Sequence, residues 1–338
     1  MPKKFKVGCL LTAKDSLHLG LPASFDDCIH DLYEFIPINE EESILNQGPF
    51  DCILHKVSDY IKMSQSGDKT ATRIVEEFTQ YKEIKSICLD NPDTPLLLAD
   101  RAKMFRTMDQ CKFVCDNITI DVPQWVMLSN YKDISRLKKS KFTYPLICKA
   151  VCAGEGPGAH SMQLVFNPGQ LDSLSVFPCV AQEFKNHNGS MSKIYAFGPH
   201  YFTCTRPSVR NFPLNGELLE SSETICFDSH EAAKLSSKTF LNNFQHGFEL
   251  KNSNQGDIIL NEKVVIQLLK KLEKQLSFSF LGVDIIVTDD GSTYNLVDVN
   301  YLPSYDGVSD RFSLLLSLLD DFKCGKSRNY WNLSSSGS

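Results

Sequence analysis

The chain has 338 residues, of which 42% are hydrophobic and 22% charged, as is typical of a folded globular protein of two or three domains. Its formal net charge of −6 argues against general nucleic-acid binding, which relies on a basic field, but it is compatible with a local basic pocket for a small anion. Its apolar runs are shorter than the roughly 18–20 residues that a membrane span needs. We therefore expect no nucleic-acid partner and no membrane insertion.

The twelve cysteines are compatible with a disulfide framework, but their spacing does not favour one. None forms a CxxC pair, and no secretory segment is apparent at Met1–Lys6. We therefore expect reduced, mostly buried thiols in a cytoplasmic protein.

Strands and helices are expected to alternate over residues 1 to 100. The predicted elements are a strand Val7–Leu11, a strand Cys52–His55, a helix Thr70–Lys82 and a short strand Ser86–Leu89. Such alternation predicts a small, mostly parallel α/β domain.

Two further units are expected, at residues 101–185 and 186–323. The second unit opens with a helix near Arg101–Cys111, and its predicted strands are Pro145–Val151, Met162–Phe166 and Cys179–Phe184. The third contains predicted strands around Lys193–Phe197 and Phe202–Thr205, a helix with an apolar stripe over Val264–Leu276, and a terminal helix that includes Phe312–Leu319. Residues 231–260 are expected to form an insertion or a mobile loop, and residues 324–338 a disordered tail.

Two apolar runs, Phe280–Val287 and Tyr294–Asn300, predict the strands of one hairpin. Between them lies Asp290–Ser292, whose central glycine accepts positive φ without steric cost. If a three-residue loop 290–292 closes the hairpin, Asp289 pairs with Thr293.

The same register places Asp284 opposite Asp298, and alternation puts Asn300 on the face of Asp298. Two facing carboxylates roughly 5 Å apart repel each other unless a cation lies between them. All three side chains offer oxygen, the ligand that Mg²⁺ prefers. The plainer interpretation is a hairpin whose acids face solvent, but the coincidence of three such residues favours a magnesium site.

Lys149 lies in the apolar run Pro145–Lys149, where a buried ammonium is costly unless it meets an anion. The glycine-rich segment Gly154–Gly158 and then His160 follow it. Glycines allow a phosphate to approach the backbone closely, although such a segment is more often a simple turn. Beside Lys149 and a magnesium site, it predicts a phosphate-binding loop.

A second set of basic residues is expected near the ends of predicted strands. Its members are His55, Lys56, His187 within Asn186–Asn188, Lys193, Arg206 and Arg210. Each alone reads as a solvated surface charge, but together they suit a polyanionic substrate.

These motifs resemble those of the inositol 1,3,4-trisphosphate 5/6-kinase and inositol tetrakisphosphate 1-kinase family, which has the ATP-grasp fold. The most specific segments are Gly48–Lys56, Tyr144–Lys149, Pro178–Phe184, Asn186–Asn188, Arg206–Ser208, Leu281–Ile286 and Val297–Pro303. An ATP-grasp signature alone is shared with many ligases, whereas His55–Lys56 and Asn186–Asn188 narrow the resemblance to inositol phosphate kinases. The implied fold class is α/β: an N-terminal Rossmann-like domain on the substrate side, then central and C-terminal ATP-grasp subdomains.

The resemblance also implies a role for each matching residue. The implied ATP contacts are Arg101 and Lys149 to phosphates, Gln182, Glu183 and Phe184 to adenine through their backbone, and Ser208 and Ser229 along the nucleotide site. The implied inositol phosphate contacts are Lys14, Lys56, His160, Lys193, Arg206, Asn300 and Ser304. The implied Mg²⁺ ligands are Asp284, Asp298 and Asn300, in agreement with the hairpin argument, and the implied catalytic residues are Lys193 and Asp298.

The chain departs from the family pattern in two segments that bear on substrate preference. Gly154–Glu155 stands where members usually have a histidine, in a loop one residue longer, and Ser304 stands where many have glycine. The segment 231–260 aligns poorly.

The function implied is a Mg²⁺- and ATP-dependent kinase for a soluble inositol polyphosphate, expected to be a cytoplasmic monomer. Two other functions use the same residues. A carboxylate–amine ligase of this fold would need an amine co-substrate, and a catalytically silent ATP-binding protein would not be expected to retain Lys149, Asp284, Asp298 and Asn300. The sequence leaves open which hydroxyl is phosphorylated, and whether phosphate exchange or pyrophosphate formation also occurs.

Overall fold

The computed structural model describes residues 3–25, 28, 30–152, 161–209, 211–212, 224–228 and 258–332. The strands are β1 Phe5–Leu10, β2 Tyr33–Pro37, β3 Cys52–His55, β4 Phe113–Cys115, β5 Ile118–Asp121, β6 Trp125–Leu128, β7 Leu146–Ala150, β8 Ser161–Val165, β9 Cys179–Glu183, β10 Ser190–Phe197, β11 His200–Pro207, β12 Ile225–Asp228, β13 Phe280–Val287 and β14 Thr293–Tyr301. The helices are α1 Ala13–His18, α2 Tyr60–Gln65, α3 Lys69–Gln80, α4 Lys82–Ile87, α5 Asp93–Leu98, α6 Arg101–Asp109, α7 Ile134–Lys138, α8 Glu262–Gln275 and α9 Arg311–Lys323.

The N-terminal sheet has the order β2-β1-β3, and both of its pairings are parallel. The predicted parallel α/β domain is therefore confirmed for this part of the chain. Helix α3 begins where the Asp68 side chain accepts a hydrogen bond from the Ala71 N–H. Ile74 and Phe78, one helical turn apart on α3, are buried in a core with Ile53 of β3.

A five-stranded antiparallel sheet follows, with the order β12-β8-β7-β9-β6. A six-stranded sheet has the order β11-β10-β13-β14-β5-β4 and is antiparallel except between β14 and β5. Helix α8 supplies the predicted apolar stripe, with Val264, Leu268 and Leu272 buried in the same core as β10 and β13. The domain boundaries at residues 100 and 185 stay a prediction.

The predicted hairpin exists, but its loop differs from the expected one. Thr288, not Asp289, faces Thr293, since the Thr288 N–H donates to the Thr293 carbonyl. Closer to the core the register shifts between Asp284 and Ile285, and the extra residue on β14 is Val297. The loop therefore also includes Asp289 and is longer than expected. The bulge compensates for this, so Asp284 still pairs with Asp298 as predicted.

Two other local predictions are wrong. Residues 86–89 form the end of α4 and only a single bridge from Cys88 to Ile53, because Ile84 and Ile87 are spaced for a helix. The described part of the predicted tail packs on the protein: Arg328 donates to the Cys88 and Leu89 carbonyls, and Trp331 is buried.

All twelve cysteines are free thiols, and six of them are buried. Within the described residues, every helix is too short or too polar to cross a membrane.

Candidate active site

A cavity of about 400 Å³ is bounded by the two larger sheets and by the end of the N-terminal sheet. It brings together every described residue to which the family resemblance gave a role: Lys14, Lys56, Arg101, Lys149, Gln182, Glu183, Phe184, Lys193, Arg206, Ser208, Asp284, Asp298, Asn300 and Ser304. His55, a further candidate, does not line it. The predictions for Gly154–Gly158, His160, Arg210, Ser229 and residues 231–257 lie outside the described residues.

The hairpin β13–β14 supplies part of the lining of this cavity. Asp284 and Asp298 are directly paired across it, and the Asn300 amide nitrogen lies 3.5 Å from Asp298 Oδ2. These residues offer two carboxylates and one amide oxygen, a donor set that suits a Mg²⁺ ion completed by phosphate oxygens and water. Among the described residues there is no group of three or more His, Cys, Asp or Glu side chains placed to bind a metal ion.

Lys193 reaches the hairpin from the neighbouring strand β10, where it pairs with Asp284. Its Nζ lies 2.9 Å from Asp284 Oδ1. Burial disfavours the charge on Lys193, but the Asp284 carboxylate outweighs burial and raises the lysine pKa above its ordinary value. Gly282, on the same strand, makes room for Pro303, because a Cβ there would lie 2.9 Å from Pro303 Cβ.

Lys149 and Arg101 are buried cations in the lining of the cavity. Lys149 Nζ donates to Gln182 Oε1 at 3.1 Å and to the Val297 carbonyl at 3.0 Å, and Arg101 donates to the Ala150 carbonyl at 2.6 Å. Burial lowers the pKa of Lys149 to about 8, although Asp298 acts to raise it. Burial likewise lowers the pKa of Arg101, again against Asp298. Both cations are therefore buried in positions where a phosphate would relieve the cost of burial.

The segment Gln182–Phe184 ends β9 beside these cations. The Glu183 side chain accepts from the Thr143 N–H at 2.8 Å and from Lys185 Nζ at 2.9 Å. These bonds hold the Glu183 carboxylate against Thr143 and Lys185 and fix the backbone of Gln182–Phe184.

Lys56 lines the same cavity directly after the end of β3. Its Nζ lies 2.8 Å from Asp15 Oδ1 and 3.5 Å from Asp59 Oδ2. Asp15 is buried, and Thr12, the N-cap of α1, donates its hydroxyl to Asp15 Oδ2 at 2.6 Å. Burial disfavours the Asp15 charge, but Lys56 and Thr12 outweigh it and lower the pKa of this carboxyl. Lys14 is exposed on the same helix and also lines the cavity.

Arg206 lines the cavity from β11 of the six-stranded sheet. Its guanidinium donates to Asp306, to the Tyr195 hydroxyl and, at 3.4 Å, to Ser304 Oγ. Ser304 donates in turn to Asp306 at 2.8 Å. The side chains of Arg206 and Asp306 thus form an ion pair at the cavity rim.

The two histidines that were expected to add positive charge do not. His55 and His187 are 2% and 3% exposed. Burial lowers the pKa of His55 to about 4 and also lowers the pKa of His187, so both rings are neutral near pH 7. The prediction that they attract a polyanion is wrong, and the cations that line this cavity are lysines and arginines.

A family model described as the inositol 1,3,4-trisphosphate 5/6-kinase ATP-grasp domain matches residues 114–321. A second model, the pre-ATP-grasp domain of the same kinases, matches residues 6–94. The chain belongs to the inositol 1,3,4-trisphosphate 5/6-kinase family. The resemblance expected from the sequence is confirmed, and with it the ATP-grasp fold.

Relatives of this kinase family match nearly the whole chain. The inositol-tetrakisphosphate 1-kinases of Xenopus laevis and Danio rerio are 30% and 29% identical to it, and each match covers 92% of this chain and 77% of the relative. Inositol-tetrakisphosphate 1-kinase 2 of Glycine max is 26% identical, with 90% of each chain covered.

Solved structures with the same fold include enzymes outside the kinase family. D-alanine–D-alanine ligase from Bacillus anthracis superposes with a TM-score of 0.52 at 15% identity, covering 95% of this chain and 98% of the ligase. An ATP-grasp RimK domain protein from Sphaerobacter thermophilus gives 0.53 at 14% identity, covering 94% and 98%. At these identities the likeness shows the fold alone.

Asp15, Asp59 and Asp306 are the site neighbours that sequence reasoning missed in this member of the kinase family. Asp15 carried one local signal, because Thr12 and Asp15 have the spacing of a helix N-cap and its third residue. The pairing of Asp15 with Lys56 joins residues 41 apart and follows from the tertiary fold.

Proposed function

We propose that the chain is a Mg²⁺- and ATP-dependent kinase that phosphorylates a hydroxyl of a soluble inositol polyphosphate, with inositol 1,3,4-trisphosphate and inositol 3,4,5,6-tetrakisphosphate as the first substrates to test. One observation carries the proposal. The hairpin with Asp284 and Asp298 contacts both sets of cations in a single cavity: Lys149 through the Val297 carbonyl and Lys193 through Asp284. Membership of the kinase family supports the same function.

The cavity then has two named sides. The nucleotide wall consists of Arg101, Lys149, Gln182–Phe184 and Ser208. The substrate wall consists of Lys14, Lys56, Lys193, Arg206 and Ser304. His160 and Ser229 keep their implied roles as predictions, on the substrate side and the nucleotide side respectively.

Phosphoryl transfer needs positioning and charge neutralisation more than covalent help from the protein. Lys149 and Arg101 would bind ATP phosphates, and the backbone of Gln182–Phe184 would bind adenine. Asp284, Asp298 and Asn300 would hold Mg²⁺, which neutralises charge on the terminal phosphates when it is bound.

Lys193 would contact the transferring group, because it already lies against Asp284. Lys56 and Arg206 would orient the acceptor by its phosphates. We propose no covalent phosphoenzyme and no general base, since a loose transition state needs alignment of the hydroxyl more than its deprotonation.

The test is phosphoryl transfer from γ-labelled ATP, with Mg²⁺, to a panel of inositol tris-, tetrakis- and hexakisphosphates. Label in one or two inositol products, absent with the Asp298→Ala variant, would establish the kinase and name its substrate. ATP binding without transfer to any member of the panel would overturn the proposal and direct the assay to amine and carboxylate acceptors.

A further inference from the structure

His187 is held by a tight turn between β9 and β10. Asn188 and Gly189 both have positive φ, 52° and 70°, and the Ser190 N–H donates to the His187 carbonyl at 3.0 Å, as in a type I′ turn. The Asn211 side-chain oxygen accepts from the His187 and Asn188 N–H groups at 2.8 and 2.7 Å. The protein itself therefore fixes the position of the histidine ring, without help from a ligand.

Both nitrogens of this ring have partners, and the partners determine where its proton lies. Nδ1 lies 2.6 Å from the Lys185 carbonyl, which can only accept, so Nδ1 carries the hydrogen. The ring is buried and neutral, which leaves Nε2 as an acceptor. Nε2 lies 2.7 Å from Ser208 Oγ, and the Ser208 hydroxyl must therefore donate to it.

Ser208 has no further hydrogen to offer a ligand. Its N–H donates to the Gly189 carbonyl at 2.8 Å, and its hydroxyl hydrogen is directed to His187. Ser208 Oγ still has lone pairs that can accept a hydrogen bond, and Ser208 lines the cavity together with Phe184. Phosphate oxygens at neutral pH are acceptors too, and two acceptors do not form a hydrogen bond. Ser208 suits a ligand hydroxyl instead.

We infer that His187 is a positioning residue that holds Ser208 as a hydrogen-bond acceptor for a ribose hydroxyl of the bound nucleotide. This inference rests on the proposed ATP-dependent function. The ribose is the part of ATP with free hydroxyls, since its phosphates only accept and its adenine amine is assigned to the backbone of Gln182–Phe184. The buried histidine of the Asn186–Asn188 motif thereby acts on nucleotide recognition and not on the polyanionic substrate.

The test is calorimetric binding of ATP, 2′-deoxy-ATP and 3′-deoxy-ATP with Mg²⁺ and without inositol phosphate, so that an inositol hydroxyl cannot contribute. The parent protein should bind one of the two deoxy nucleotides about 5- to 10-fold more weakly than ATP, the net effect of one hydrogen bond. Ser208→Ala should weaken ATP binding by a similar factor and bind ATP and that analogue equally. Ser190→Ala, a change in the same turn at a residue that does not line the cavity, serves as the matched control and should keep the discrimination.

His187→Phe keeps a ring beside Phe184 but removes the accepting nitrogen. The Ser208 hydroxyl can then rotate, and the preference for ATP over its deoxy analogue should shrink toward one. A folded His187→Phe variant with the parent's preference would overturn the positioning role. If this variant does not fold, His187→Met, which also lacks an accepting ring nitrogen, replaces it with the same expected loss of preference.

Three outcomes would overturn this inference, and they differ in what they mean for the proposed function. Equal binding of all three nucleotides by the parent overturns the inference and leaves the kinase proposal intact. Discrimination that persists in Ser208→Ala also overturns it. Failure of the parent to bind any nucleotide would overturn both.

Discussion

The two sides of the cavity hold their positive charges in different ways. On the nucleotide wall, Lys149 and Arg101 are buried and donate to carbonyl and amide oxygens. On the substrate wall, Lys193 and Arg206 each lie against a carboxylate, and Lys56 lies against two. The nucleotide wall thus presents charge that burial has made costly, whereas the charge of the substrate wall is already largely balanced.

This difference has a consequence for binding. A phosphate that reaches Lys149 replaces neutral acceptors and gains a charged contact in a buried place. A phosphate that reaches Lys56 or Arg206 must compete with a carboxylate for the same ammonium or guanidinium group. Affinity for the inositol phosphate should therefore respond to the neighbouring acids as well as to the bases.

A substitution in the β13–β14 hairpin, between the two walls, should have the largest effect on turnover. Asp298→Ala removes a proposed Mg²⁺ ligand that also lies near both buried cations, and kcat should fall at least about 10³-fold with the fold intact. Asp290→Ala, at the exposed tip of the same hairpin, is the matched control and should keep the parent kcat. Turnover assays beside thermal unfolding check both, and near-normal turnover by Asp298→Ala would show that the proposed metal site is wrong.

On the nucleotide wall, Lys149→Met should weaken ATP binding about 100-fold, equivalent to about 2.7 kcal/mol, because a buried charge-assisted contact is lost. The KM for the inositol phosphate should change little. Lys103→Met, exposed on α6, is the control and should bind ATP as the parent does. ATP titrations measure the effect, and unchanged ATP affinity in Lys149→Met would remove this residue from the nucleotide wall.

His55, directly before Lys56, is buried and should make the stability of the fold depend on pH. Because burial lowers the pKa of His55 to about 4, from the ordinary value of 6.5, the unfolded chain binds the proton first as pH falls. Stability from this group is present above pH 6.5 and is lost as pH falls toward 4, by about 2 kcal/mol between pH 8 and pH 5.

Denaturant unfolding at several pH values tests this dependence on His55. His55→Gln, whose amide can still donate to the Asp90 carbonyl, should lose that part of the pH dependence. The exposed His200→Gln serves as the control, and an identical pH dependence in the parent and His55→Gln would contradict the prediction.

The smallest effect is expected at the cavity rim. Asp306→Asn removes the carboxylate that competes for Arg206, so KM for the inositol phosphate should fall about 2- to 5-fold, the scale of an exposed ion pair. KM for ATP should stay constant. Asp172→Asn breaks the Lys138 pair outside the cavity and is the control. A rise in KM would mean that Asp306 orients Arg206 and does not compete with substrate.

The sequence correctly predicted the hairpin and its paired aspartates, but not the length of its loop or its bulge. Alternation and a glycine turn were enough to pair Asp284 with Asp298, although the loop is longer than expected and the bulge at Val297 restores the register. The error and its compensation both lie within one local element, where sequence patterns carry most information. The family resemblance then supplied the fold and the remaining candidate residues.

The charge states of the site residues could not be predicted from the sequence, because they depend on burial and on neighbours in the fold. His187 has the residue type of a cation, yet its ring is neutral beneath Ser208. Asp15 lies one residue from Lys14 in sequence, but only the packing of α1 against the end of β3 brings it to Lys56. The balance of acids and bases on the substrate wall is therefore a property of the tertiary structure.

The most direct test of the two-walled cavity is the pair of KM values for Lys56→Met, measured with ATP and with the inositol phosphate that the transfer assay identifies. If Lys56 belongs to the substrate wall, its loss should raise KM for the inositol phosphate about tenfold or more and leave KM for ATP within about twofold. An equal rise in both KM values would contradict the division of the cavity into a nucleotide wall and a substrate wall.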